Sequence, residues 1–263
     1  ARASALPAAD LIRLFRHDAP EIPVIDMERC VGCMECVAVC PDVAIVGRVV
    51  EPETVARALA AIEDSELRGQ LAASFGKTRH YWEAFLERKE EGGMLALFVD
   101  PDRCKGCGEC VDACGIHEAI AMRPKSDLDL AQYDRGMELY RTLPDTPDRF
   151  LTGRSLGDIL LSTRAQLAVG GTSSCSGCGQ STAVRLVLAS TGFQYGADHV
   201  GVVAASGCDS VYGAVFPYNP YKVPWTNTLS GNAPADALGI RRGWDRDGNQ
   251  NRKLWVLGSM ENF

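Results

Sequence analysis

At 263 residues, 46% hydrophobic and 23% charged, the chain has the composition of a globular protein with apolar content for one large core or two modest ones. Its formal charge of -7, without clustered Lys and Arg, excludes nucleic acid or an anionic membrane surface as the main partner. No apolar run reaches the roughly 18 residues of a membrane span.

Eleven cysteines, many only two or three residues apart, suit metal centres better than a secreted disulfide framework, and this implies a reducing, cytoplasmic compartment. The chain begins at Ala1 with no charged-then-apolar leader. It stops at "KLWVLGSMENF", a strand end followed by the first residues of a helix, and is therefore read as a fragment. Residues 1–20 are read as the end of a preceding segment.

Two segments share one pattern. "VIDMERCVGCMECVAVCPDVAI" (24–45) and "VDPDRCKGCGECVDACGIHEAI" (99–120) each offer a short apolar strand, then C-x2-C-x2-C-x3-C, then a strand opening on Ala-Ile. This is an internal duplication. Its quartets are Cys30, Cys33, Cys36, Cys40 and Cys104, Cys107, Cys110, Cys114.

A cubane needs four thiolates around it, and cysteines at every third residue wrap three corners. In the two-cluster ferredoxin arrangement the fourth comes from the other run. Cys30, Cys33, Cys36 and Cys114 are accordingly expected at one centre, with Cys104, Cys107, Cys110 and Cys40 at its neighbour. Zinc is the plainer alternative, but three cysteines per tight run plus a fourth, occurring twice, exceed what a tetrahedral site uses. Pro41 follows the first quartet and Gly115 the second, which relaxes that loop without removing a ligand.

Between the quartets, residues 49–94 carry helical spacing: Val55, Leu59 and Ile62 on one face, then Tyr81, Trp82, Phe85 and Leu86 on another. A packed helical insert within a two-cluster domain of residues 21–124 accounts for them, and "ERKEEGG" reads as a solvated helix end. Residues 125–155 are polar, follow Pro124 and carry Pro144 and Pro147, and lack long periodicity, so they read as a linker.

From residue 156 the pattern becomes α/β. A helical "SLGDILLSTRAQLAV" precedes the loop "TSSCSGCGQST", then a helix "STAVRLVLAS", a strand "HVGVVAAS" ending at Gly207 and Cys208, and a last strand "KLWVLG". Alternating strands and helices suggest a parallel sheet with ligands beyond its carboxyl ends, where Cys208 and Gly258 fall. Cys175, Cys178 and Cys208 remain after the quartets. Three thiolates make an incomplete cubane site, whose fourth ligand would lie outside the chain; a reduced C-x2-C pair or a redox disulfide is the alternative. His17, His80, His117 and His199 show no ligand spacing and read as surface or hydrogen-bonded histidines.

The double-cubane module with its long insert, followed by "CSGCGQ", "ASGCDSVYG" and "PWTNTLSGNAPADALGI", resembles the thiamine-diphosphate-dependent 2-oxoacid:ferredoxin oxidoreductases, in particular the single-chain pyruvate:ferredoxin (flavodoxin) type. The resemblance covers residues 21–263. It implies an α+β ferredoxin-like double-cubane domain with a helical insert, followed by an incomplete α/β thiamine-diphosphate-binding domain over 156–263.

By that resemblance Cys175, Cys178 and Cys208 would hold a third 4Fe-4S cluster near the thiamine. Gly179, Gln180, Ser206, Gly207, Gly258 and Ser259 would lie around the pyrophosphate and its Mg2+. Ser259 stands where the family carries a metal-binding Asp, and a neutral hydroxyl supplies no charge. No residue is assigned a catalytic role.

The reaction implied is oxidative decarboxylation of a 2-oxoacid, pyruvate above others, to acyl-CoA, with electrons relayed to ferredoxin or flavodoxin. Coenzyme A, the enzyme's missing domains and a second copy of the chain would be further partners, and the fragment would be inactive alone. The rival is an electron-transfer polyferredoxin without thiamine chemistry.

Overall fold

The computed structural model describes residues 13–152, 155–215, 218–228 and 230–258. They divide into two compact units, Phe15–Thr163 and the stretch from Arg164 onward together with Arg13 and Leu14. Among the described residues no helix is long and apolar enough to cross a membrane.

The first unit is built by exchange between the two halves of the duplication. In the first half, β1 (Glu21–Ile25) leads into a cysteine loop and α1 (Glu35–Val39), then β2 (Ile45–Val50). After α2 (Pro52–Ala60), α3 (Ser65–Ala72), β3 (Phe75–Gly76), a π-helical turn (Arg79–Glu83) and α4 (Ala84–Glu87), the second half repeats the plan with β4 (Met94–Val99), α5 (Glu109–Cys114) and β5 (Ile120–Pro124).

Leading and trailing strands pair across the halves. β1 is antiparallel to β5, Ile25 opposite Ile120, and β2 is antiparallel to β4, Ile45 opposite Val99. β2 is buried at every residue and β4 at all but Met94, which suits their Val, Ile, Leu and Phe content. The helices α1 and α5 pack on each other.

The insert buries part of its apolar content. Val55, Tyr81 and Phe85 are buried, whereas Leu86 is exposed. It is not wholly helical, because β3 adds itself to the edge of β4, Phe75 opposite Ala96.

Residues 125–155 are not a linker. They contain α6 (Leu130–Thr142), N-capped by the Asp129 carboxylate accepting from the Ala131 N–H, with Met137, Leu139 and Tyr140 buried. Gly136 lets the helix approach β4 closely: a Cβ there would lie 3.1 Å from Phe98 Cδ1. Arg48 of β2 reaches the same layer, its guanidinium 4.8 Å from the Tyr140 ring centroid and donating to Pro144 O and Asp145 Oδ1, both at 3.1 Å.

The unit also extends past the expected boundary at residue 156. The helix anticipated over 155–169 stops early as α7 (Leu156–Leu160), which packs on α1. A Cβ at Gly157 would lie 2.9 Å from Cys33 O, so only glycine permits this approach to the first cysteine loop.

The second unit is a three-stranded parallel sheet in the order β7 (Trp225–Asn227), β6 (Val200–Ala204), β8 (Lys253–Leu257). Ala204 is opposite both Asn227 and Leu257, so the three strands end together. α8 (Gly179–Tyr195) precedes β6, α9 (Cys208–Tyr212) follows it, and α10 (Ala233–Arg246) joins β7 to β8. A small core of Val203, Ala205, Ala233 and Ala237 holds α10 to the sheet. β6 ends at Ala204, and Cys208 opens a helix instead of closing the strand.

Candidate iron-sulfur and cofactor sites

Each cysteine run folds by the same backbone device. Gly32 and Gly106 are left-handed, at φ 83° and 65°, and so are the residues capping α1 and α5, Met34 at φ 63° and Gly108 at φ 82°. These turns place the cysteines on the inside of a tight loop, and non-glycine residues adopt them at a cost of about 1–2 kcal/mol. A Cβ at Gly32 would lie 2.6 Å from Thr78 Oγ1. Val43 and Glu118 are also left-handed, at φ 52° and 46°. Each turns the following N–H back onto a sulfur: Ala44 N donates to Cys40 Sγ at 3.2 Å and Ala119 N to Cys114 Sγ at 3.3 Å.

Cys40 lines one cavity together with Cys104, Cys107 and Cys110. Burial, reinforced by Cys40 and its neighbours, pushes the Cys110 thiol up to about 12, and burial pushes Cys104 up to about 11. After burial, Cys33 and Cys114 raise Cys30, and Cys30, Cys33, Cys110 and Cys114 raise Cys36. Burial raises any thiol in this way, and ligation of a metal would require these groups as thiolates.

Main-chain N–H groups aimed at sulfur and four thiols around one cavity fit an iron-sulfur cubane. Among the described residues, no three His, Cys, Asp or Glu side chains gather as they would around a single metal ion; a cubane spaces its thiolates at its corners.

Side chains around the two runs differ. Beside the first, the buried Tyr81 hydroxyl donates to Asp158 Oδ1 at 3.0 Å, and Thr152 donates to Oδ2 of the same carboxylate. His80 Nε2 lies 3.5 Å away. Burial opposes ionisation of Asp158, but hydrogen bonds from His80, Thr152 and Tyr81 outweigh it and hold its carboxyl below the usual range. Beside the second, Lys105 and Asp42 form an ion pair of 2.9 Å with side chains 8% and 3% exposed, and both line the cavity. No spacing in the sequence signals either group, because the partners come from distant segments.

In the second unit, Cys178 caps α8, with the Ser181 N–H 3.5 Å from its sulfur, and its own N–H donates to Cys175 O at 3.2 Å. Cys208 begins α9. The two segments are tied by Gln180 Nε2 donating to Asp209 Oδ1 at 2.6 Å, an oxygen that also accepts from Tyr212 OH at 2.7 Å. The turns carrying Cys178 and Cys208 are therefore adjacent. Asp209, 4% exposed, was not legible as a site residue.

Of the pyrophosphate candidates, Gln180 is committed to this internal bond. Ser206 and Gly207 are exposed just past β6, and Gly258 follows β8. Gly207 has φ 146° and ψ -154°, and a Cβ there would meet nothing within 4 Å. Gly179 opens onto similar space. Such open glycine backbone leaves room for a ligand to approach the main chain. Ser259 lies outside the described residues.

Residues 23–46 and 97–116 match the 4Fe-4S binding domain family. The chain is 29% identical over 227 residues to pyruvate-flavodoxin oxidoreductase of Trichormus variabilis, covering 84% of this chain and 16% of that one. It is 27% identical over 226 residues to pyruvate:ferredoxin oxidoreductase of Moorella thermoacetica, covering 86% and 17%. A 93-residue stretch is 37% identical to pyruvate synthase subunit PorB of Pyrococcus furiosus, covering 34% of this chain and 28% of that subunit. The chain thus spans about a sixth of the length of the first two relatives.

Proposed function

Because the chain is related over most of its length to pyruvate-flavodoxin oxidoreductases, we propose that it is the electron-relay and cofactor-binding segment of an enzyme that oxidatively decarboxylates a 2-oxoacid, pyruvate first among them, to its acyl-CoA. The observation that carries this reading is the cavity Cys40 shares with Cys104, Cys107 and Cys110, set in a strand-exchanged frame whose other half repeats the same loop.

In this reading Cys104, Cys107, Cys110 and Cys40 hold one 4Fe-4S cluster, and Cys30, Cys33, Cys36 and Cys114 hold a second. Cys175, Cys178 and Cys208 supply three ligands of a third. When bound, thiamine diphosphate with Mg2+ supplies the carbanion chemistry of decarboxylation. Gly179, Ser206, Gly207 and Gly258 leave room for the pyrophosphate, while Asp209 fixes Gln180 and Tyr212 behind them. The cysteines would hold clusters that pass electrons singly, and the Ala44 and Ala119 N–H groups on Cys40 and Cys114 Sγ would favour the added negative charge. A ferredoxin or flavodoxin is the acceptor, coenzyme A takes the acyl group, and a second copy of the full chain completes the enzyme.

Iron, acid-labile sulfide and thiamine diphosphate are to be counted on the anaerobically purified full-length enzyme. About twelve irons, as three cubanes give, with bound thiamine support the proposal. Eight irons without thiamine would make the chain a two-cluster carrier instead.

A further inference from the structure

The duplication sets the two ferredoxin-type sites in nearly equivalent frames, so side chains that break the equivalence stand out. Counting from the first cysteine of each run, Lys105 occupies the place of Val31; counting from the paired strand starts Ile45 and Ile120, Lys125 occupies the place of Val50. Lys105 carries no net charge to its site, because Asp42 pairs with it at 2.9 Å. Lys125 is different.

Lys125 is 8% exposed, and its Nζ donates to two main-chain carbonyls, Arg16 O at 2.8 Å and Pro101 O at 3.5 Å. Carbonyls solvate an ammonium but do not neutralise it, and burying a charge without a counter-ion is costly. Of the nearby carboxylates, Asp102 is engaged by Arg16, and Asp18 is exposed. Pro101 begins the turn that delivers Cys104. Burial holds the Lys125 amine below the usual lysine range and Arg16 adds to this, while Cys104, ahead of Asp102 and Asp18, is the foremost group favouring its protonated form. Anions do not distinguish the two sites, since Asp26 acts on Cys30 while Glu109 and Asp42 act on Cys107; the difference is that the first half carries Val50 where the second carries Lys125.

We propose that Lys125 is the buried counter-charge of the second cluster site, and that it raises the reduction potential there above that of the first, so that a single electron on the pair rests at the Cys104 side. The inference depends on the two-cluster reading above. One electron from 2-oxoacid oxidation enters and no proton moves: Lys125 stays an ammonium in both states, and its field favours the more negative, reduced form. Lys125 touches neither substrate nor the electron's donor; it is a positioning residue for charge.

The test is a potentiometric titration of the cluster-loaded full chain by electron paramagnetic resonance, comparing wild type with Lys125→Met and Lys125→Arg. Lys125→Met should lower the higher of the two ferredoxin-type midpoints by roughly tenfold in the reduction equilibrium, about 59 mV for one electron, leaving the lower unchanged. Lys125→Arg should restore it. Movement of the lower midpoint, equal movement of both, or none in a variant with wild-type iron content would overturn the inference. Absence of iron and sulfide from the wild type would instead defeat the cluster reading on which it stands.

Discussion

Cys40 lines the cavity of Cys107, a residue of the other cysteine run. Strand exchange explains why. β2 begins shortly after Cys40 and pairs with β4, the strand that leads to the second run, with Ile45 opposite Val99. The ladder that holds the sheet therefore carries the last cysteine of one run to the first three of the other.

The consequence is specific to each cysteine. Cys40→Ser should abolish the same cluster signal as Cys107→Ser, and Cys114→Ser the same signal as Cys33→Ser, each with a loss of about four irons. Spectra in which Cys40→Ser instead matches Cys33→Ser would refute the crossed assignment.

Glycine substitutions should separate backbone strain from collision. Gly32→Ala combines φ 83° with a Cβ 2.6 Å from Thr78 Oγ1, whereas Gly108→Ala has φ 82° and open space. Conformational strain alone costs about 1–2 kcal/mol. Denaturant unfolding of the cluster-loaded protein should show a loss of that order for Gly108→Ala and a distinctly larger one for Gly32→Ala.

A stability difference that vanishes in acid is expected at Asp158. The folded-state pKa of its carboxyl is depressed, so its contribution is complete above the unfolded value near 3.9 and disappears as pH falls through the folded value. At pH 7, Asp158→Ala leaves the buried Tyr81 hydroxyl unpaired, at about 1–3 kcal/mol. Unfolding of the two proteins compared from pH 7 downward should show the gap narrowing below about pH 4; a gap that stays constant contradicts the role given to the ionised form.

At the edge of the parallel sheet, Gly207→Ala should cost about 1–3 kcal/mol, because φ 146° with ψ -154° is a glycine-only conformation. The new methyl enters open space and should also weaken retention of thiamine diphosphate. Equilibrium dialysis of the cofactor against the full-length variant checks this; unchanged retention with reduced stability would move the pyrophosphate away from Gly207.

The cysteine loops were the most legible part, since a ligand set wrapping three corners of a cubane is a matter of a few consecutive residues. The parallel sheet was legible too, from alternating Val-rich strands and helices. The helix α6 was not: Met137, Leu139 and Tyr140 lie among charged residues with prolines on either side, and β4 and α3 together supply the apolar face that makes burying them favourable. The long helix read into 155–169 failed for the complementary reason. Its apolar residues Leu161, Ala165 and Leu167 are buried, but by an irregular chain.

What the amino-acid order determined by itself was local: thiol spacing, the glycines that permit left-handed turns, and the duplication. What only tertiary structure decided was which distant groups share a site, as Cys40 with Cys107, Tyr81 with Asp158, Gln180 with Asp209, and Lys125 with the turn before Cys104. Such pairings depend on strand register and helix docking, long-range choices made by burial and hydrogen bonding together, and no short stretch of sequence carries them.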